Sequence, residues 1–329
     1  MPEKEQLIPK EKISRPFLFA LLTLCFALLC ISFAPIFIRL SETEVSANAT
    51  VFNRLFIFFI SFGSWQFLSR RFSPQKEEED TPITGKQWWL LGSVGTVATI
   101  SLVLWAISLQ YTTVAKSMLL NNLTPIFTTL GSWMFLGKKF DSKFLIGMAI
   151  AVTGAITLGL EDLAGMGEGS FMGDIYAILS AVFLGTYFLI VEQLRSRFSG
   201  TTILLWRCAT GSVILLLIML FTGEQIFPTT QVAILAVIGL GIISEGLGQR
   251  LIAESMNVFS SSFVSIFLLL EPVISAVLAW FIFLEALSIT TWLGFAVVLT
   301  GIYLAQTSQS STSEVAKKQD YHSQQPDYQ

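Results

Sequence analysis

The stretches LTPIFTTLGSW (Leu123–Trp133) and LEPVISAVLAW (Leu270–Trp280) lie 147 residues apart and share their leucine, proline and tryptophan positions. Extended to Thr113–Ile156 and Ser260–Tyr303, the pairing needs no gap and gives seven identities over 44 positions. Proline and tryptophan at fixed spacing seldom match by chance in leucine-rich sequence. The pattern therefore predicts that the chain contains two copies of one structural unit.

The composition is typical of an integral membrane protein. Of the 329 residues, 53% are hydrophobic and 13% are charged, and the mean hydropathy is +0.67. Because soluble domains have about a quarter of their residues charged, this chain has too few charges to cover a soluble surface. Charge-free runs such as Gln87–Ala115 and Ala286–Ser313 also exceed the roughly 20 residues that a helix needs to cross the bilayer.

These runs predict an all-α fold with ten transmembrane helices. Five helices form a first repeat at residues 17–160, and five form a second repeat at residues 171–306. Residues 1–16 and 307–329 are polar and are predicted to be cytoplasmic tails, the second of them disordered. The ten predicted helices cover residues 17–38, 49–69, 88–110, 114–136, 143–160, 171–193, 201–222, 232–253, 258–284 and 287–306.

The basic residues predict the orientation of these helices. In a ten-helix arrangement, one side of the membrane carries 15 of the 20 lysine and arginine residues, and the connections on the other side carry none. Loops rich in lysine and arginine stay in the cytoplasm, so both termini are predicted to be cytoplasmic. We expect a multi-pass protein of the plasma (inner) membrane.

The helix count also predicts how the two repeats are related. Five is an odd number, so the second repeat enters the bilayer from the opposite side and the repeats are inverted. Carriers built from inverted repeats bind their substrate near mid-depth, between the repeats, and rock around it. The repeat therefore predicts a transporter.

Four stretches carry a resemblance to a known family. They are FAPIFIR (Phe33–Arg39), NRLFIFF (Asn53–Phe59), WAISLQYTTVAKSMLLNNLTPIF (Trp105–Phe127) and LLLEPVISAVLAWFIFLEALSITTWLGFAVVLTGIYL (Leu268–Leu304). In this order they resemble the EamA-type, ten-helix members of the drug/metabolite transporter superfamily. That resemblance implies secondary transport of small metabolites such as amino acids, sugars, nucleotide derivatives or drugs.

Two arginines lie inside predicted helices. Arg54 lies one to two turns into the second helix, and Arg207 lies at a similar depth in the seventh, so inverted symmetry makes the two positions equivalent. A basic residue deep in a bilayer costs about 2.5–3.5 kcal/mol and normally faces the interior of the bundle. Each arginine is either a substrate ligand or a cation that reaches the interface to pair with a carboxylate or a lipid phosphate.

Two acidic residues lie still deeper. Glu245 is in the eighth predicted helix, and Glu271 immediately precedes Pro272 about halfway along the ninth. A lone carboxylate at that depth is expected to carry a proton. Glu271 is predicted either to contact a substrate amine, to couple a proton, or to form a structural bond or a pair with Arg250 or Arg207. For Glu245, a structural pair with Arg250 is the alternative to a substrate contact.

The matched prolines predict hinges. Proline removes the hydrogen bond to the carbonyl four residues earlier, so Pro125 frees Asn121 and Pro272 frees Leu268. Asn121 and Asn122 add side-chain amides at the same depth. These groups either line a polar cavity or accompany simple packing kinks.

The leading functional prediction is a secondary active transporter of a small organic metabolite, an amino acid or a similar compound, working as an exporter. The alternatives are an antiporter of phosphorylated or nucleotide-linked metabolites and a non-transporting membrane scaffold. The only histidine, His322, lies in the C-terminal tail, so we expect no enzyme, no catalytic residue, no metal site and no cofactor. The expected partners are a small-molecule substrate and the lipid bilayer, without nucleic acid. Proton coupling, a counter-substrate and a homodimer stay open.

Overall fold

The chain is helical over almost all of the residues that the structure, a computed structural model, describes: 15–72, 84–111, 117, 120–163, 171–271, 273–274, 277 and 289–312. In chain order the helices are α1 (Arg15–Ser32), α2 (Ala34–Ser41), α3 (Ala47–Phe72), α4 (Gly85–Tyr111), α5 (Thr124–Leu136), α6 (Ser142–Leu163), α7 (Phe171–Leu194), α8 (Gly200–Thr222), α9 (Gln231–Gly239), α10 (Arg250–Ser255), α11 (Ser261–Phe267) and α12 (Ile289–Gln306). A π-helix (Leu240–Gln249) joins α9 to α10, and 3₁₀ turns follow α11 (Leu268–Leu270) and α12 (Gln309–Ser311).

Ten spans can be counted along these residues. Six segments are long enough and apolar enough to cross a membrane: Phe17–Ile38, Ala47–Leu68, Gly85–Trp105, Phe171–Leu194, Gly200–Thr222 and Gln231–Ser255. Three shorter apolar helices at Ser142–Thr157, Ser261–Leu270 and Trp292–Gln306, together with α5, complete the ten. The predicted all-α membrane fold is confirmed.

The outer surface of the bundle is apolar. Phe135, Phe171 and Phe221 are exposed over 77%, 78% and 90% of their surface. Ionised and hydroxyl groups such as Glu245 and Ser261 lie fully buried instead. This distribution suits a protein whose sides face lipid, because acyl chains solvate apolar side chains and leave polar groups to pair inside the bundle.

Helix packing follows the two-fold relation between the repeats. The second span packs on the seventh (α3 on α8), the fourth on the ninth (α5 on α11) and the fifth on the tenth (α6 on α12). The third span (α4) corresponds to the eighth, which contains the π-helix, and the sixth span (α7) corresponds to the first (α1). The contacts between α4 and α7 are accordingly matched by contacts between the π-helix and α1. Each of these pairings maps onto itself or onto another, as two inverted five-helix repeats require.

Gly147 and Gly301 allow α6 and α12 to cross with their backbones in contact. A Cβ atom on Gly301 would lie 2.3 Å from the Ala151 nitrogen and 2.7 Å from the Gly147 oxygen. One on Gly147 would lie 2.5 Å from the Ala305 nitrogen. Small residues at such a crossing maximise contact where water supplies no driving force for helix association.

Two predicted spans are less regular than a single α-helix. The first, predicted over residues 17–38, ends at Ser32 and restarts at Ala34, with Pro35 in the first turn of α2, where a missing N–H costs nothing. The eighth widens into the ten-residue π-helix, a form that is often associated with functional positions. Apolar periodicity alone carries no signal for either change.

The beginning of the C-terminal tail is ordered. Residues 307–312, predicted as part of a disordered segment, instead form a 3₁₀ turn that returns to the start of α11. The Ser260 N–H donates to the Ser311 carbonyl at 2.8 Å, and Phe259 and Thr312 form an antiparallel bridge. The remainder of that predicted tail, residues 313–329, and residues 1–14 lie outside the described residues.

Candidate functional site

A polar cavity of about 80 Å³ lies where the fourth and ninth spans are interrupted. Both interruptions precede the matched proline positions, so repeat-related segments contribute to one cavity. The sixth span supplies two apolar residues to its wall. The lining residues are Asn121, Asn122, Thr124, Pro125, Leu184, Phe188, Ser265, Leu268, Leu269 and Glu271.

The first interruption lies at Asn122 and Leu123, where the chain turns before α5 begins at Thr124. Pro125 therefore occupies the first turn of a new helix, although the sequence predicted one continuous helix over residues 114–136. The Asn121 carbonyl, predicted to be freed by Pro125, accepts a hydrogen bond from the Thr124 hydroxyl at 2.6 Å. The Asn121 side-chain oxygen is buried and has no hydrogen-bond partner among the described residues.

The second interruption is the 3₁₀ turn Leu268–Leu270, which leads into Glu271. Just before it, the Ser265 hydroxyl donates to the Ser262 carbonyl at 2.8 Å. No ion pair or hydrogen bond joins the Glu271 carboxylate to another residue that the structure describes. Pro272, the second predicted hinge, lies outside the described residues.

Glu245 binds both membrane arginines. Its Oε2 accepts from the Arg54 Nε at 2.7 Å, and its Oε1 accepts from the Arg207 Nη1 at 2.7 Å. The side-chain exposures are 0% for Glu245, 6% for Arg207 and 12% for Arg54. One carboxylate thus neutralises one of two positive charges, and the three groups carry a net charge of +1.

Further groups surround the guanidinium of Arg207. Its Cζ lies 4.9 Å from the centre of the Tyr187 ring, a cation–π distance, and its Nη1 is 3.5 Å from the Tyr187 hydroxyl. The Cys208 thiol is 3.7 Å from Glu245. Arg250, considered as a partner of Glu245 or Glu271, instead lies over the Phe62 ring at 5.9 Å.

The predicted site residues therefore fall into two groups. Asn121, Asn122, Pro125 and Glu271 line the cavity, whereas Arg54, Arg207 and Glu245 form the buried charge cluster.

Three contributing residues escaped the sequence prediction: Thr124, Ser265 and Tyr187. The repeat alignment carried a signal for Thr124, because an offset of 147 residues places it on Glu271. Ser265 and Tyr187 carry no such mark, since hydroxyls are common in membrane helices.

Polar contacts, two of which join the repeats, lie at the end of the bundle at which the described chain begins and ends. Lys138 forms an ion pair with Glu192, whose Oε2 accepts from the Ser261 N–H at 3.2 Å and from its hydroxyl at 2.5 Å. The hydroxyls of Ser132 and Ser262 are 3.0 Å apart. We call these five residues the terminal-side contacts.

A second set of bonds joins the repeats at the opposite end. Glu44, in the connection between α2 and α3, accepts from the N–H groups of Thr229 at 2.5 Å and Thr230 at 2.9 Å, and from both hydroxyls. The Thr229 hydroxyl, followed by the hydroxyl and amide of Thr230, lowers the pKa of Glu44 to about 2. This carboxylate therefore stays ionised at neutral pH.

The described residues contain no group of three His, Cys, Asp or Glu side chains that could hold a metal ion. The described residues of the cavity wall offer one carboxylate, two amides and two hydroxyls among apolar side chains, groups that can recognise a polar ligand.

A family model for the EamA-like transporter family matches residues 18–160 and again residues 171–307. The chain belongs to the EamA-like transporter family. It is accordingly a multi-pass membrane transporter, and the resemblance seen in its sequence is confirmed.

Several relatives are similar over most of their length. Two proteins of Archaeoglobus fulgidus, each described as an uncharacterized transporter, are 25% identical over 60% of this chain and 69% of theirs, and 21% identical over 83% and 92%. An uncharacterized transporter of Clostridium kluyveri is 21% identical over 71% of this chain and 77% of its own. A solved crystal structure aligns with a TM-score of 0.73 at 18% identity, over 89% of this chain and 97% of that one, which shows a shared fold.

Proposed function

We propose that this transporter is a secondary carrier that moves a small organic metabolite by alternating access, with its substrate bound in the cavity between the two helix interruptions. The observation that carries the proposal is that repeat-related breaks before Pro125 and Glu271 meet at one polar cavity. Interrupted helices at the repeat interface form the substrate sites of carriers with inverted repeats.

The terminal-side contacts support this mechanism because they are bonds that a carrier can break. Two of them cross between the repeats, from Lys138 to Glu192 and from Ser132 to Ser262, while Ser261 binds Glu192 within the second repeat. Water can replace each partner when the repeats separate, so opening this end costs less than exposing an apolar interface of the same size. In an exporter with cytoplasmic termini, the end that they hold together is the gate that must open to admit the substrate.

The charge cluster has a different role in the proposal. Arg54 on α3 and Arg207 on α8 are both bound by Glu245, so the cluster fastens two helices of opposite repeats to the π-helix. Separating buried, oppositely charged groups is expensive, which makes this part of the bundle a fixed support around which other helices move. Since both arginines already bind a carboxylate, the structure favours the metabolite carrier over an antiporter that uses them as phosphate ligands.

The finer assignments rest on the sequence. We assign the substrate to amino acids and similar compounds, the direction to export, and the location to the plasma membrane with both termini in the cytoplasm. The sequence contains no G-x-x-x-x-G-K-[ST] motif, so the energy comes from an ion or substrate gradient. A reporter fused after Ser308 should be active in the cytoplasm, and one inserted after Gly223 should be active outside it.

A reversible crosslink tests the mechanism. The Ser132 and Ser262 hydroxyl oxygens are 3.0 Å apart, so cysteines at both positions place two sulfur atoms within reach of a disulfide. The double variant is reconstituted in proteoliposomes loaded with a pooled metabolite extract, and efflux is followed by mass spectrometry. We expect oxidation to stop efflux and a reductant to restore it.

Each single-cysteine variant is the matched control, because it keeps the three native cysteines and cannot form the new bond. Unchanged efflux from protein that peptide mapping shows to be crosslinked between positions 132 and 262 would refute alternating access at this end. If the reduced protein moves no metabolite at all, the carrier proposal is wrong and a scaffold role is favoured.

A further inference from the structure

We infer that the cavity recognises an organic ammonium group, with the Glu271 carboxylate as its counter-ion and the Asn121 side-chain oxygen as a hydrogen-bond acceptor. The inference rests on the proposed function for the location of the substrate site and adds the chemical class of the substrate. It follows from the charges and hydrogen bonds of the cavity wall.

The wall has acceptors without partners. The Asn121 Oδ1 atom is buried and receives no hydrogen bond from the described residues. The Glu271 carboxylate, on the facing interruption, forms no ion pair or hydrogen bond with them either. Buried polar groups in folded proteins are nearly always paired, so an acceptor without a described partner, in the same cavity wall as a carboxylate without one, indicates that a ligand supplies the donors.

The hydroxyl groups of the wall do not supply those donors. The Thr124 hydroxyl already donates to the Asn121 carbonyl, and the Ser265 hydroxyl donates to the Ser262 carbonyl. The remaining amide nitrogens of Asn121 and Asn122 are neutral donors. Among the described residues of the lining, Glu271 is therefore the one ionisable group. A bound ammonium group favours the ionised form of this carboxylate, so the described wall is suited to a cation.

The shape of the cavity favours an ammonium head group. Its volume of about 80 Å³ is several times the roughly 10–15 Å³ that one water molecule needs, so a small alkylammonium group fits. An ammonium carries up to three N–H donors, enough for a carboxylate and an amide oxygen together. The apolar side chains of Leu184, Phe188, Leu268 and Leu269 then surround its first carbon atoms.

The two repeats differ at this point. Thr124 and Glu271 occupy equivalent positions under the 147-residue offset, so the carboxylate appears on one side of the cavity and a hydroxyl on the other. A single carboxylate suits a single ammonium group, which would be oriented with its nitrogen toward the ninth span.

Binding of ethylammonium to the full chain in lipid nanodiscs tests the inference. Saturation-transfer NMR detects weak binding, and empty nanodiscs correct for partition into lipid. Alanine should compete because it has an ammonium group, whereas propionate, which lacks one, and tetramethylammonium, which has no N–H donor, should not. We expect Glu271→Gln to weaken binding at least about tenfold and Asn121→Leu to weaken it about threefold or more, because both remove an acceptor from a charged donor.

Glu42→Gln is the matched control, since it makes the same chemical change at an exposed carboxylate outside the cavity. Size-exclusion profiles and unfolding temperatures verify that each variant is folded. Wild-type affinity in folded Glu271→Gln, or equal competition by propionate, would overturn the ammonium site. If Glu271→Gln transports metabolites at the wild-type rate, the carrier proposal holds but the ammonium site is wrong. If amine binding depends on Glu271 but no metabolite is transported, the ammonium site holds but the carrier proposal is wrong.

Discussion

Replacing Glu245 by glutamine should destabilise the fold by about 3–5 kcal/mol, the range found when one partner of a buried ion pair is removed. The side chain is 0% exposed and binds Arg207 and Arg54 at 2.7 Å each. The variant leaves both guanidinium groups inside the bundle without a counter-ion. Glutamine keeps the volume of the side chain, so the loss measures charge rather than packing.

The exposures of the two arginines predict how the loss is divided. Arg54 is 12% exposed, whereas Arg207 is 6% exposed and also lies on the Tyr187 ring, so replacing Arg207 removes more buried contacts than replacing Arg54 does. Arg207→Gln should therefore destabilise the protein more than Arg54→Gln.

Thermal unfolding in detergent, followed by circular dichroism, provides the assay. At roughly 2 °C per kcal/mol for a chain of this size, Glu245→Gln should lower the midpoint by about 6–10 °C. Glu224→Gln, at a partly exposed carboxylate bound by neutral donors, is the control and should change the midpoint by less than about 2 °C. A Glu245→Gln midpoint close to wild type would refute the reasoning, as would a larger effect at Arg54 than at Arg207.

Three further perturbations address other parts of the bundle. Gly301→Ala should lower the free energy of unfolding by about 1–3 kcal/mol, because the added methyl group meets the α6 backbone. Gly92→Ala, with nothing within 4 Å of its Cβ position, is the control and should be neutral or stabilising. The unfolding midpoints of the two variants test this difference. Pro125→Ala should lower efflux per folded molecule more than it lowers folded yield, and equal efflux rates would show that the proline serves packing alone. Glu44 has a pKa of about 2 in the fold, below the usual 4.5, so the stability it contributes is present above pH 4.5 and lost as the pH falls toward 2. In wild type, the protection of the Thr229 and Thr230 amides, measured as their hydrogen exchange relative to the intrinsic rate at each pH, should fall over that window, while in Glu44→Gln it should be low at every pH.

The sequence predicted the architecture because a membrane leaves few solutions. Long charge-free runs and the matched segments around Leu123 and Leu270 determine ten spans and two repeats, and the helix packing follows them. The interruptions were harder to place. Pro125 indicated a perturbed helix, but whether the chain kinks or restarts depends on whether a donor such as the Thr124 hydroxyl is available to the freed carbonyl.

The sequence predicted the residues of the candidate site, but it did not predict that they divide into a cavity group and a charge cluster. Arg54, Arg207 and Glu245 are unusual in a membrane helix and attract attention singly, yet their mutual pairing depends on how α3, α8 and the π-helix approach one another. The terminal-side contacts were not predicted, because Glu192 and Ser261 lie at helix ends, where polar residues are expected for many reasons.

The difference between Thr124 and Glu271 has a thermodynamic consequence for the transport cycle. If the two halves were identical, the state open to one side and the state open to the other would be the same structure viewed from opposite faces, with equal free energy. A hydroxyl in one half and a carboxylate in the other remove that degeneracy, so one orientation of the empty protein is more populated. The positions at which the duplicated sequences have diverged therefore determine which orientation of the empty protein is more populated. Exchanging Thr124 and Glu271 should reverse the contribution of this pair to the difference in free energy between the two orientations.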